Sequence, residues 1–125
     1  MCRLFVGADP DLYRARTRSL RLHGVATSIR LENFFWDVLA DIGARDRLSV
    51  NQLITRLHDE LSQAGADVAD VGNFSSFLRV CCVRYLALQA AGLVPRDARV
   101  PIRTLDAEAI LREEAAVRAG GRLAA

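Results

Sequence analysis

The sequence predicts a small, mainly α-helical fold entered through one antiparallel β element. Three observations carry this. Residues 25–32, VATSIRLE, alternate so that Val25, Thr27, Ile29 and Leu31 fall on one face and Ala26, Ser28 and Arg30 on the other. That is the period-two pattern of a half-buried strand. From Asn33 onward the spacing turns helical, and no second strand of comparable quality follows. Finally, 125 residues at 51% apolar content suit one small domain with a modest core.

Taken in order, residues 1–16 read as an irregular N-terminal arm, interrupted by Gly7 and Pro10. Residues 17–31 are β-like, yet on one continuous strand Leu20 and Leu22 would share a face with Ser28 and Arg30. A two-residue turn at His23-Gly24 removes the conflict. It pairs Leu22 with Val25 and Leu20 with Thr27, gathers the apolar residues on one face, and leaves Ser19, Arg21, Ser28 and Arg30 on the other.

A first helix is expected from about Asn33 to Gly43, with Phe35, Val38, Leu39 and Ile42 as its apolar stripe. Asn33 or Glu32 can cap its start, and Gly43 can help stop it. A second helix opens at a capping box, Ser49 to Gln52, with Leu48 and Leu53 placed as a hydrophobic staple. Its buried face is Leu53, Ile54, Leu57 and Leu61. SQAGADVADVG reads as a loop. Asn73 is expected to cap a third helix from Phe74 to about Ala91, apolar on nearly every side and so largely buried. Residues 92–125 form a Pro-containing linker and a peripheral C-terminal helix or tail, so the main unit is expected over 17–91.

Charge is distributed unevenly. The formal net charge is only +2, but residues 13–31 hold Arg14, Arg16, Arg18, Arg21 and Arg30 with no acid. A polyanion would be held there. No stretch approaches a membrane span and no signal peptide opens the chain, so a cytoplasmic, nucleoid-associated location is expected, with no membrane partner. Cys2, Cys81 and Cys82 have no metal or redox spacing and read as buried free thiols. His23 reads as a turn residue and His58 as a surface residue, neither with partners for a metal; no cofactor is expected. Trp36 reads as a core or dimer anchor.

The segment from Thr27 to Leu61, TSIRLENFFWDVLADIGARDRLSVNQLITRLHDEL, resembles the ribbon-helix-helix DNA-binding proteins. The strand ending in Arg-Leu, the Phe35/Val38/Leu39/Ile42 helix and the LSVNQLI helix start carry the resemblance in the right order. The first ninety residues also look like small bacterial proteins with this domain, an MCRLF opening and an added helix. The resemblance implies a homodimer whose strands pair antiparallel between chains, giving an intermolecular β-ribbon. Such a ribbon fits the DNA major groove.

By that resemblance Ala26, Ser28 and Arg30 face the bases, Arg30 suiting guanine O6 and N7. Thr27, Ile29, Leu31, Phe35, Val38, Leu39, Ile42, Leu53, Ile54 and Leu57 form the dimer core. Amides at Ser49, Val50 and Asn51 grip a phosphate, while Arg14, Arg16, Arg18 and Arg21 lie along the DNA backbone. An extra strand through Leu20 and Leu22 would widen the sheet beyond two strands and make Ser19 and Arg21 secondary candidates. The implied function is sequence-specific binding of double-stranded DNA by a transcriptional repressor. A rival reading is a protein-interaction module using the third helix and the tail, holding a toxin or a second dimer. MCRLF also resembles the start of N-terminal-nucleophile amidotransferases, with Cys2 freed by removal of Met1. Those enzymes need a many-stranded sandwich, whereas this chain is helical after residue 33, so no catalysis is expected.

Overall fold

A computed structural model describes residues 2–121. Met1, and residues 122–125 of the expected tail, lie outside the described residues. The ribbon is a hairpin: β1 (Ala15–Leu22) pairs antiparallel with β2 (Val25–Glu32). His23 and Gly24 join them with φ of 53° and 79°. Two consecutive left-handed residues make a type I′ turn, whose twist matches that of the strands it joins. The register pairs Leu22 with Val25 and Leu20 with Thr27, as the apolar alternation requires.

The arm expected to be irregular is partly ordered. Helix α1 (Cys2–Val6) precedes a 3-10 turn over Pro10–Tyr13, capped by Asp9. Proline at the start of that turn supplies the φ it needs and lacks only an amide that would be unpaired there. The Asn33 amide then donates to the Arg14 carbonyl at 2.9 Å, and Asn33 Nδ2 donates to the Asp11 carbonyl at 3.0 Å. These bonds extend the ladder, so β1 begins at Ala15 rather than at residue 17.

Helix α2 (Asn33–Arg45) follows directly, with Glu32 at its N-cap position making no side-chain cap bond. Gly43 does not stop this helix. A Cβ built there would lie 2.7 Å from the Leu48 carbonyl oxygen, so the glycine lets the α2–α3 turn close tightly. Helix α3 (Val50–Gln63) opens with the expected capping box: Ser49 Oγ accepts from the Gln52 amide at 3.1 Å, and Gln52 Oε1 accepts from the Ser49 amide at 2.9 Å.

Helix α4 (Val71–Ala90) starts one turn before the expected position. Asp70 caps it, accepting from the Gly72 and Asn73 amides, which leaves Asn73 inside the first turn. Nor is α4 covered all round. Phe74, Ser75, Leu78 and Cys82 are buried, but Val80 and Val83 are each 54% exposed. Helix α5 (Ala107–Gly121) docks on α4 through a forked pair, Arg84 Nη2 to Glu114 Oε1 at 2.6 Å and Nε to Oε2 at 2.9 Å.

One core joins the hairpin to three helices. Leu20, Leu22, Ile29 and Leu31 from the inner face of the ribbon meet Trp36, Val38 and Leu39 of α2, Leu53 and Ile54 of α3, and Phe74, Leu78 and Cys82 of α4. Phe35, Ile42 and Leu57 pack against this cluster half-buried, and Thr27 sits at its edge. The residues assigned to a dimer core thus already pack within one chain, where β1 and α4 contribute to the same cluster.

Arg45 holds the segment after α4. It is 4% exposed, donating from Nε to the Val100 carbonyl, from Nη1 to the Pro95 carbonyl, and from Nη2 to the Asp97 carbonyl, at 2.8–2.9 Å. Nη1 also reaches the Tyr85 hydroxyl at 3.2 Å. The linker is thus strapped to the end of α2.

Candidate nucleic-acid interface

In a pleated ribbon alternate side chains share a face, so the register sorts the site. Thr17 opposes Arg30, Ser19 opposes Ser28, and Arg21 opposes Ala26. All six are exposed and lie on the face away from the core. Ser19 Oγ and Ser28 Oγ are 3.5 Å apart across the strands, and Arg21 Nη1 donates to the Gly24 carbonyl at 3.0 Å. Ala26, Ser28 and Arg30 thus stand together as expected, joined by Ser19 and Arg21. Thr17 was missed, although its alternation with Ser19 and Arg21 was visible in the sequence.

These six positions hold two arginines and no acid; the alternation next reaches Glu32, at the end of β2 opposite Ala15. Two nearby acids are engaged. Glu32 accepts from Arg79 Nε at 2.9 Å, and Asp11 pairs with Arg14. The backbone amide of Glu32, and then the Arg79 guanidinium, hold the Glu32 carboxyl below its ordinary range. It stays an anion matched by a cation, so the ribbon keeps its positive field.

The other arginines divide. Arg16 and Arg18 lie on the inner face, with Leu20 and Leu22. Arg18 places its guanidinium 5.1 Å from the Trp36 ring centroid, a cation–π contact, and Trp36 Nε1 donates to the Arg16 carbonyl at 2.9 Å. Trp36 is therefore a core anchor that also fixes the ribbon to α2. Arg16 remains exposed. At the start of α3 the Ser49 amide is taken by Gln52 and the Gln52 amide by Ser49, so within this group Val50 and Asn51 offer their amides outward.

The ladder also defines an open edge. The turn closes at Leu22–Val25 and the Asn33 amide bonds Arg14, so hydrogen-bonded pairs fall at alternate rungs between them. Backbone groups of Ala26, Ser28 and Arg30 consequently point away from β1. Arg79 Nη2 approaches the Arg30 carbonyl at 3.4 Å; no described strand pairs with this edge.

The thiols are not poised for chemistry. Burial pushes Cys82 up to about 12 and Cys81 up to about 11, and Cys2 lies exposed on α1. The histidines depart from expectation: the hairpin brings His23 beside His58 and Asp59, a grouping of potential metal ligands absent from the linear spacing. Among the described residues no helix is long and apolar enough to cross a membrane.

Comparison with known proteins fits this architecture. An uncharacterized protein from Bordetella pertussis Tohama I has a solved structure that superposes with a TM-score of 0.83 at 59% identity, covering 89% of this chain and 86% of that one. No curated protein matches. The family model described as a ribbon-helix-helix domain matches residues 15–86, from the first residue of β1 into α4. Ribbon-helix-helix domains bind DNA, dimerise and are not enzymes as a fold. With more than half of its length matched, the chain belongs to the ribbon-helix-helix family.

Proposed function

We propose that this protein is a transcriptional repressor that binds specific double-stranded DNA as a homodimer, with the outer face of its ribbon in the major groove. The supporting observation is the exposed face of Thr17, Ser19, Arg21, Ala26, Ser28 and Arg30, free of unpaired acid. Arg30 bonds guanine O6 and N7 in a fork, Ser28 bonds either a donor or an acceptor, and Ala26 meets a thymine methyl.

The open edge of β2 pairs with the same edge of a second copy, in the order β1-β2-β2-β1. Four strands about 4.8 Å apart span roughly 14 Å, more than the groove's width of about 12 Å. The two β2 strands therefore take the floor and the β1 strands lie along the walls, where Arg21 and Arg14 meet phosphates; Arg16, on the inner face, is set back from the groove. Arg18, held over Trp36, sets the ribbon's position. The Val50 and Asn51 amides, with Ser49 shaping the helix start, hold a further phosphate. The protein acts in the cytoplasm at the nucleoid and is not an enzyme; the main unit, expected over 17–91, starts with β1 at Ala15, and 92–125 is appended. A second role rests on exposed Val80 and Val83 of α4 beside α5: this face holds a protein partner or another dimer.

The test is a titration of a site selected from genomic DNA. Arg30→Ala lowers specific affinity by about 1–3 kcal/mol with the fold intact, and affinity falls steeply with salt. Unchanged affinity of the variant removes Arg30 from the reading face. A flat salt profile favours the protein-interaction role.

A further inference from the structure

We propose that His23, His58 and Asp59 bind a divalent transition ion of the zinc type, clamping the tip of the ribbon to α3. One ligand atom from each residue lies within 4.8 Å of the others. His23 Nε2 faces Asp59 Oδ1. The His23 and His58 ring centroids are 5.9 Å apart.

A simple His23–Asp59 ion pair accounts for only part of this. His58 Nδ1 is buried without a hydrogen-bond partner among the described residues. Its ring is held edge-on to Phe74 at 5.1 Å, which fixes the imidazole beside the pair. A buried, unpartnered ring nitrogen, a second imidazole and a carboxylate together match a borderline divalent ion. A hard ion such as calcium would require more oxygen donors.

Zinc–ligand bonds of about 2.0–2.2 Å put tetrahedral donors roughly 3.4 Å apart, so the direct contact of His23 with Asp59 must open to admit the ion. His23 can supply that movement, since its side chain is 64% exposed on a two-residue turn. His58 and Asp59 stay fixed on α3. The exposed side leaves a coordination position for water. The site stands independently of whether the ribbon reads DNA.

The experiment is calorimetric titration of the full-length protein with Zn2+, paired with Co2+ absorption spectra. The wild type takes up one ion per chain, and Zn2+ raises its Tm. His23→Asn is the deciding variant, because asparagine tolerates the left-handed φ of this turn while removing the imidazole. Both His23→Asn and His58→Gln lose affinity about tenfold or more, together with the Tm shift. The Co2+ spectrum lacks a thiolate charge-transfer band. Absence of binding by the wild type overturns the proposal. So does unchanged affinity in His23→Asn, or a thiolate band, which would assign the ion to a cysteine.

Discussion

Replacing Arg45 with alanine separates what a buried charge contributes from what its position in the chain suggests. Its side chain makes four hydrogen bonds, three to linker carbonyls and one to the Tyr85 hydroxyl. Bonds to a charged donor contribute about 1.5–3 kcal/mol each, which would total roughly 6 kcal/mol at the low end. Two effects reduce that figure. Pro95 and Val100 are only half-buried and Asp97 is exposed, so the released carbonyls regain water. Removing the guanidinium also returns the cost of desolvating it. The expected loss is about 2–4 kcal/mol, large against a typical stability of about 5–15 kcal/mol. Arg45→Met, which keeps the apolar stem, restores only the packing share. Urea unfolding measures the loss. Limited trypsin digestion reports its location, because Arg96, Arg99 and Arg103 are already exposed and the freed linker can adopt the extended form that trypsin cleaves. Unfolding at the wild-type midpoint, with no faster cleavage in the linker, would refute the strap.

Ser28→Pro tests the open edge. Its amide points away from β1, so proline leaves the hairpin bonds in place and blocks pairing with a second copy; light scattering should report a monomer, and a persisting dimer would place the interface elsewhere. The Arg84–Glu114 pair gives a pH signature. Arg84 holds the Glu114 carboxyl below its ordinary value of 4.5. A depressed folded value means the stabilisation is present above 4.5 and fades as pH falls through the folded value. With Arg84 41% and Glu114 17% exposed, Glu114→Gln costs about 0.5–1 kcal/mol at neutral pH. In urea unfolding this difference should vanish in acid; a difference constant with pH would assign it to packing.

The parts legible in the sequence are those set by neighbouring residues. Apolar alternation and His23-Gly24 determine the register of the hairpin, because a slip of one residue would turn Leu20 and Leu22 to solvent. Ser49 and Gln52 announce α3 for the same local reason. What escaped reading depends on distant parts of the chain. Arg45 looks like an ordinary basic residue in a last helical turn until the linker folds over it. His23 and Asp59 are 36 positions apart in sequence, and only the docking of the hairpin on α3 brings them together.

The apolar stripes were legible, but their partner was not. An amphipathic helix does not encode whether its face is covered by its own chain or another. Here Leu20 and Leu22 of β1 and Phe74, Leu78 and Cys82 of α4 do much of the covering. Leu31 is fully buried in the single chain, so a charge there would unfold the protein before it reported on pairing. Asp70 and Asn73 are both competent caps, and the earlier one extends α4 by a turn.

The outer face of the ribbon, as proposed, lies in the major groove. Methylation interference on a selected DNA site tests it most directly, because guanine N7 is exposed in the major groove and adenine N3 in the minor groove. N7 methylation at a guanine in each half-site should abolish binding, N3 methylation should leave it intact, and Arg30→Ala should remove the N7 sensitivity. Interference confined to adenine N3, or N7 sensitivity retained without Arg30, would contradict this placement.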